Sequence, residues 1–257
     1  MKSIQSNIKK AKKYLDNNEC IAVPSETVYG LAGNAYSNSS VKKIFKLKKR
    51  PFNNPLIVHY YNLKKLNDDC IVNDNFKRLY RSLSPGPITY VLRLKINSKI
   101  SKFVTNNQKT IAVRFPKHLL FRKLLKNLNY PLAAPSANIF SQLSAVQASD
   151  IIEEFGSRIK YILNGGKSKF GIESTIINLV DKPSILRLGG LSVNKIQNIL
   201  KKKILIKNNS KKKIAHIIFT LHYSPRIQIK LNAQKTKTNE ALILIKTRKN
   251  NYKKTYI

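Results

Sequence analysis

The chain has 257 residues, 49 Lys+Arg against 12 Asp+Glu, and a formal net charge of +37. Its 42% apolar content supports a buried core, excludes a wholly disordered chain, and suits one large domain or two small ones. No apolar run reaches the ~18 residues of a membrane-spanning helix, so an integral membrane protein is not expected.

The first segment, MKSIQSNIKKAKKYLDNNE, puts Ile4, Ile8, Ala11 and Leu15 at helical spacing and predicts a helix over 2–16. It lacks the uninterrupted apolar core of a signal peptide, and a cytoplasmic protein is expected. Strands are then predicted at 20–25, 55–61, 88–94, 110–115, 131–136, 174–180 and 184–188, where short apolar runs are bounded by Pro, Ser, Asn or Gly. Helices are predicted between them at 40–49, 75–83, 118–127, 149–156 and 192–201, with Ser149-Asp150 and Ser192 as start signals. This alternation is that of a mixed α/β domain. After residue 200 the composition shifts: residues 201–257 carry 16 Lys+Arg and one acid, Glu240. KKKILIKNNSKKKI reads as a linker, followed by strand-like IQIKL (227–231) and ALILIK (241–246), too little chain to bury a core alone.

The charge has two open explanations. Lys outnumbers Arg 39 to 10, and Lys, Asn and Ile together supply 97 residues, a bias that A/T-rich codons produce without selection for a partner. A field this positive also attracts RNA in a salt-dependent way. Cys20 and Cys70 form no CxxC and no disulfide framework, and four scattered histidines propose no metal site.

Small polar residues gather where the predicted strands end: PSETVYGLAGNA (24–35), KLKKRPFNNPLIVHYY (46–61), TIAVRFPKH (110–118), PLAAPSAN (131–138) and GIESTIINL (171–179). Taken singly, each reads as a turn. Arg114, between Val113 and Phe115, is different, because a guanidinium in a core demands an anion. Either a structural carboxylate or a substrate carboxylate meets that demand. Ligands of open α/β sheets bind at strand ends, so the set points to a small-molecule site for anionic substrates.

PSETVYGL, KKRPFNNPLIVH, SPGPIT, TIAVRFPKH, PLAAPSAN, GIESTI and ILRLGG, in that order, resemble the YrdC-like threonylcarbamoyl-AMP synthase family over about residues 5–200. HYSPR (222–226) resembles the linker of the longer form, whose second domain would be reduced here to a stub. The resemblance implies a YrdC-like α/β fold, a twisted mixed sheet flanked by helices: a catalytic domain at 1–200, a linker and lid at 201–226, and a C-terminal α/β remnant at 227–257. It implies synthesis of L-threonylcarbamoyladenylate from L-threonine, bicarbonate and ATP, with release of pyrophosphate. A partner transferase would then carry the group to tRNA beside the anticodon, and the basic surface offers a tRNA contact. Such a reaction needs positioning and cationic stabilisation of phosphate more than a covalent nucleophile.

By the same resemblance, Thr27, His59, Arg114, the Ala134 backbone and Ser174 form the threonine site, with Arg114 on the carboxylate. Lys48 and Arg50 would bind and neutralise phosphate as the catalytic cations. Asn54, Thr110, Ser136, Asn138, Ser144 and Arg187 would contact other parts of ATP, and Tyr223 would close over it. Mg²⁺ would accompany the triphosphate, held by phosphate oxygens and not by protein side chains. Three departures from the family pattern stand in the loops: Phe140 and Ser141 where Ser and Gly are usual, Leu188 for Pro, and Ala145 for Pro. A non-catalytic RNA-binding module of the same fold is the competing expectation. A carbamoyl-transfer domain of hydrogenase maturation proteins is another, although this chain lacks the length and cysteines of their accessory modules.

Overall fold

A computed structural model of the chain describes residues 2–206 and Lys230. The chain divides into two units, Met1–Ser224 and Pro225–Ile257, and the sheet and its helices belong to the first. The HYSPR segment and the strand-like pieces 227–231, Lys230 apart, and 241–246 lie outside the described residues.

Helix α1 (Lys2–Asp16) leads into β1 (Ile21–Val23), β2 (Gly30–Asn34), α2 (Asn38–Lys48), β3 (Ile57–His59), the short α3 (Leu63–Leu66) and β4 (Cys70–Ile71). Then come α4 (Asp74–Leu83), β5 (Ile88–Leu94), α5 (Lys102–Thr105), β6 (Thr110–Arg114) and α6 (Leu119–Lys126). The described part closes with β7 (Leu132–Ala133), α7 (Ala148–Phe155), β8 (Thr175–Asn178), β9 (Ser184–Arg187), α8 (Val193–Leu200) and β10 (Leu205–Ile206). The strands form one sheet in the order β1-β2-β7-β3-β6-β5-β8-β9-β10, with β4 paired to β5. The β3–β6, β5–β8 and β9–β10 pairs are parallel and the others antiparallel, so the expected mixed sheet flanked by helices is what the chain forms. Among the described residues no helix is long and apolar enough to cross a membrane.

Each face of the sheet follows from the period-2 rule for strands. Val58, Tyr90, Val113, Ile177 and Ile185 point into the main core with Phe45, Phe76 and Phe115. Their neighbours Ile57, Val91, Ala112, Ile176 and Leu186 form a thin apolar floor on the opposite face. Helix α1 buries Ile8, Ala11 and Leu15 against α6, whose Phe121, Leu124 and Leu125 close a second core. Stepping two residues from the thin floor toward one end of the sheet reaches His59 from Ile57 and Arg114 from Ala112. The same step reaches Thr89 from Val91 and Ser174 from Ile176. The polar side chains of four segments therefore meet on one face because the register dictates it.

Strand β2 was not expected from its sequence, GLAGN, which has no β-branched or aromatic residue. Its glycines serve close packing: a Cβ on Gly33 would meet the Ser40 hydroxyl at 2.5 Å and Ile44 at 3.2 Å, so α2 can lie directly on the strand only while that residue is glycine. The start of α7 also differs from expectation. The N-cap is Gln147 rather than Ser149, with Asp150 completing a reciprocal capping box.

Candidate functional site

A cleft, about 540 Å³ when the open solvent within it is included, lies on the thin-floor face. Its lining combines the small or apolar Gly30, Ile57, Ala134 and Pro135, the His59–Arg114 pair, and the polar Arg50, Ser136, Glu173, Ser174 and Arg187. Seven segments widely separated in the chain are brought to it.

Parallel pairing sets His59 opposite Arg114 at the C-terminal ends of β3 and β6. Arg114 is 5% exposed, and its Nη2 donates to Glu26 Oε1 at 2.7 Å. Glu26 Oε2 accepts from the Lys117 amide at 2.9 Å, which clamps the carboxylate between two donors. Burial raises the Glu26 pKa, but the charge and hydrogen bond of Arg114, with backbone amides, hold it below the usual carboxylate value. The sequence left the anion beside Arg114 open, and the structure supplies a structural carboxylate. That pairing still leaves Arg114 Nε buried without a hydrogen-bond partner, as is His59 Nδ1. Burial, with the Arg114 charge next, lowers the imidazole of His59 to about 3, so it is neutral at physiological pH. Phe121 packs against the imidazole at 5.2 Å between ring centroids.

The sign of that shift gives a test. A histidine whose folded pKa lies below its unfolded value of ~6.5 stabilises the fold above pH 6.5, and that stability drains as pH falls toward the folded value. Each unit in between costs about 1.4 kcal/mol. Between pH 6.5 and pH 5 the wild type should therefore lose about 2 kcal/mol more than His59→Gln in urea unfolding. Parallel profiles for the two proteins would mean that His59 is protonated in the folded state.

Arg50 and Arg187 add two further cations to the lining. Arg50 donates to the Asn54 backbone oxygen at 3.0 Å, to its side-chain oxygen and to the Pro55 oxygen at 2.9 Å; none of these is a carboxylate. Burial, then the neighbouring Arg187 charge, brings Arg50 down to about 9, which still leaves it charged at pH 7. Arg187 donates through Nε and Nη2 to the Ser174 carbonyl at 3.1 and 2.9 Å, and through Nη2 to the Ser174 hydroxyl at 3.2 Å. The Ser174 hydroxyl also pairs with Thr89 Oγ1 at 2.7 Å.

Of the residues expected to form the site, His59, Arg114, Ala134, Ser174, Arg50, Ser136 and Arg187 line the cavity. Ala134 uses its amide on the Ile57 carbonyl, so that amide is not offered to a ligand. Thr27 sits just behind the wall, fully buried, with its hydroxyl 2.9 Å from that of Ser25. Asn54 and Asn138 are buried braces for Arg50 and for the 136–142 loop. Ser144 donates to Glu173. Thr110 is four residues, about 13 Å at strand rise, from Arg114 along β6 and does not line the cavity. Lys48 does not line the cavity. It is 1% exposed, and Nζ donates to the Ser136 carbonyl, the Asn138 carbonyl and the Asn138 side-chain oxygen. An ammonium has three N–H groups, and in this arrangement all three are engaged by that loop. Tyr223 lies outside the described residues.

Sequence reasoning noted Ser25, Glu26 and Tyr29 only as polar residues at a strand end, and gave neither them nor Glu173 a place in the site. Three of them stood inside PSETVYGL, and the signal for Glu26 was the need of Arg114 for an anion in a chain with only 12 acids. Glu173 stood inside GIESTIINL. Among the described residues it is the one carboxylate on the cavity wall. Among the described residues, too, no group of three or more His, Cys, Asp or Glu could hold a metal ion.

The fold is a mixed α/β domain whose strand ends bring guanidinium groups and a neutral imidazole to one cleft, a chemistry suited to anionic groups. The chain belongs to the Sua5/YciO/YrdC family: the family model, described as telomere recombination, matches residues 13–189. It is 37% identical to the threonylcarbamoyl-AMP synthase of Bacillus subtilis over 195 residues, 75% of this chain and 56% of that one. It is 36% identical to the synthase of Pyrococcus abyssi, again over 75% of this chain and 57% of the relative. The chain thus spans just over half the length of these curated relatives. The solved structure of Pyrococcus abyssi Sua5 complexed with L-threonine matches with a TM-score of 0.80 at 33% identity, covering 85% of this chain and 65% of that one.

Proposed function

We propose that the protein makes L-threonylcarbamoyladenylate from L-threonine, bicarbonate and ATP. The observation that carries this reading is that two different sets of groups line one cavity. One is the His59–Arg114 pair, with two buried polar nitrogens lacking partners, and the other is Arg50 and Arg187. An amino acid suits the first set: a carboxylate accepts from the Arg114 guanidinium, and neutral His59 takes a hydrogen bond from a hydroxyl or amine. The second set suits phosphate. The names of the relatives and the threonine bound in the Pyrococcus abyssi structure support the same assignment.

The reaction balances without a covalent enzyme intermediate. The neutral amine of threonine adds to bicarbonate carbon, water leaves, and a carbamate forms. A carbamate oxygen then attacks the α-phosphorus of ATP while the bond to pyrophosphate breaks. The chain's residues hold the two reactants together in a walled cleft, and Arg50 and Arg187 meet the charge that grows on the leaving group. Mg²⁺ would neutralise the triphosphate. A single wall carboxylate, Glu173, is too little for a protein cage, so phosphate oxygens would supply most of its ligands. Residues 201–226 would act as linker and lid, with Tyr223 excluding water from the adenylate. A separate transferase would consume the adenylate and modify tRNA.

Pyrophosphate release by the purified chain tests the proposal. It should require threonine and bicarbonate together, with each omission returning the rate to background. Release that ignores either one, or RNA binding with no release at all, would reject it.

A further inference from the structure

We infer that Lys48 is a positioning residue that pins the 136–142 loop against the cavity, and not a ligand of the nucleotide phosphates. The inference rests on reading the cavity as a nucleotide site, and it changes which cations meet the phosphates there.

Two features of the molecule carry it. The first is saturation: the ammonium of Lys48 donates to the carbonyl of Ser136 at 2.6 Å and to both the carbonyl and the side-chain oxygen of Asn138. Three donors meet three acceptors, with the side chain enclosed behind the cavity wall. The second is that the loop is fastened to Lys48 from the backbone as well, by the Phe140 amide donating to the Lys48 carbonyl at 2.8 Å. Ser136 Oγ and Asn138 Nδ2 complete the brace through Asn138 Oδ1, Ile139 O and Gln142 O. Releasing Nζ toward a phosphate would leave the buried Asn138 carbonyl without a donor and the Ser136 carbonyl and Asn138 side-chain oxygen with one donor each, from the Asn138 amide and Ser136 Oγ, and that loss opposes the new hydrogen bonds to phosphate. Arg50, two residues on, reaches the cavity wall while Lys48 does not. What Lys48 controls is Ser136, whose own carbonyl it holds and whose side chain lines the cavity.

A phosphate ligand and a loop pin respond differently to the phosphate count. In Lys48→Met, dissociation constants for AMP, ADP and ATP should all rise by the same factor, about tenfold for a 1.4 kcal/mol loss, because the displaced loop is common to all three. The dissociation constant for threonine should change less than twofold, which general loosening of the fold would not spare. A loss that is absent for AMP and grows from ADP to ATP would overturn the inference, and so would no loss at all. Wild-type protein that fails to bind ATP would instead reject the nucleotide reading itself. If Lys48→Met does not fold, native protein decides the point by acylation with acetic anhydride and mass spectrometry. Exposed Lys49 should be modified, while Lys48 should stay unmodified with or without ATP. Lys48 that is acylated in the free protein and protected by ATP would overturn the inference.

Discussion

Replacing Arg114 with alanine is expected to abolish threonine-dependent pyrophosphate release and to destabilise the fold by about 3–5 kcal/mol. The two losses have separate causes. Activity fails because the proposed carboxylate contact disappears. Stability fails because Glu26, 7% exposed, then holds a charge with only the Lys117 amide beside it. The pH dependence separates them from simple misfolding. In the wild type, Glu26 is held below its ordinary pKa, so its contribution is complete above pH ~4.5 and is lost as pH falls through the lower, folded value. In Arg114→Ala the guanidinium no longer lowers the Glu26 pKa, and burial is opposed only by backbone amides, so the pKa moves up and lowering the pH toward 5 should narrow the stability gap to wild type. Adding Glu26→Gln to Arg114→Ala should recover part of the lost stability at pH 7 and none of the activity. Unfolding curves for the three proteins at pH 5 and 7, beside the pyrophosphate assay, check every part. A stable Arg114→Ala protein with normal threonine use would remove both the ion pair and the substrate contact from consideration.

Arg114 also shows how far the sequence could be read. A guanidinium between Val113 and Phe115 announced a buried cation, and the period-2 pattern of TIAVR and PLIVH put Arg114 and His59 on the same side of their strands as the small floor residues. Which strands would be neighbours was not legible, since β6 pairs with β3, more than fifty residues earlier, and with β5. Without that order nothing in the sequence could join His59 to Arg114 or bring Ser174 to Thr89. The role of Lys48 was hidden for a different reason. A lysine two residues before an arginine reads as a phosphate grip, and only the fold shows that its reach ends in the carbonyls of a loop ninety residues away. Strand β2 was invisible because its job is to be thin: glycine lets α2 approach, and glycine carries no strand signal.

The same need for close approach makes Gly189 the position where the smallest substitution should do the most damage. A Cβ on Gly189 would stand 2.4 Å from the Glu173 carbonyl oxygen, 2.4 Å from the Ser174 carbonyl carbon and 2.5 Å from the Thr175 nitrogen. All three are backbone atoms at the start of β8, so no side chain can turn aside to make room. Relief requires the two chain segments to separate, and their contact is what builds the polar wall. Arg187 grips Ser174 across this gap, and the Gly190 amide donates to the Glu173 carbonyl at 2.8 Å. Gly189→Ala should therefore cost about 2–3 kcal/mol of stability, within the range for overpacking a tight contact. It should also weaken ATP binding more than tenfold, because Arg187, Ser174 and Glu173 move together. Gly190→Ala is the control one residue away. There the added methyl meets side-chain atoms, of Phe170 and Pro87, at 3.3 Å, and Phe170 is 43% exposed and can shift. Its cost should stay below about 1 kcal/mol, with ATP affinity near wild type. Urea unfolding and ATP titration of the two variants distinguish them. Equal effects at 189 and 190, or a Gly189→Ala protein that binds ATP as wild type does, would show that the wall does not depend on this backbone contact.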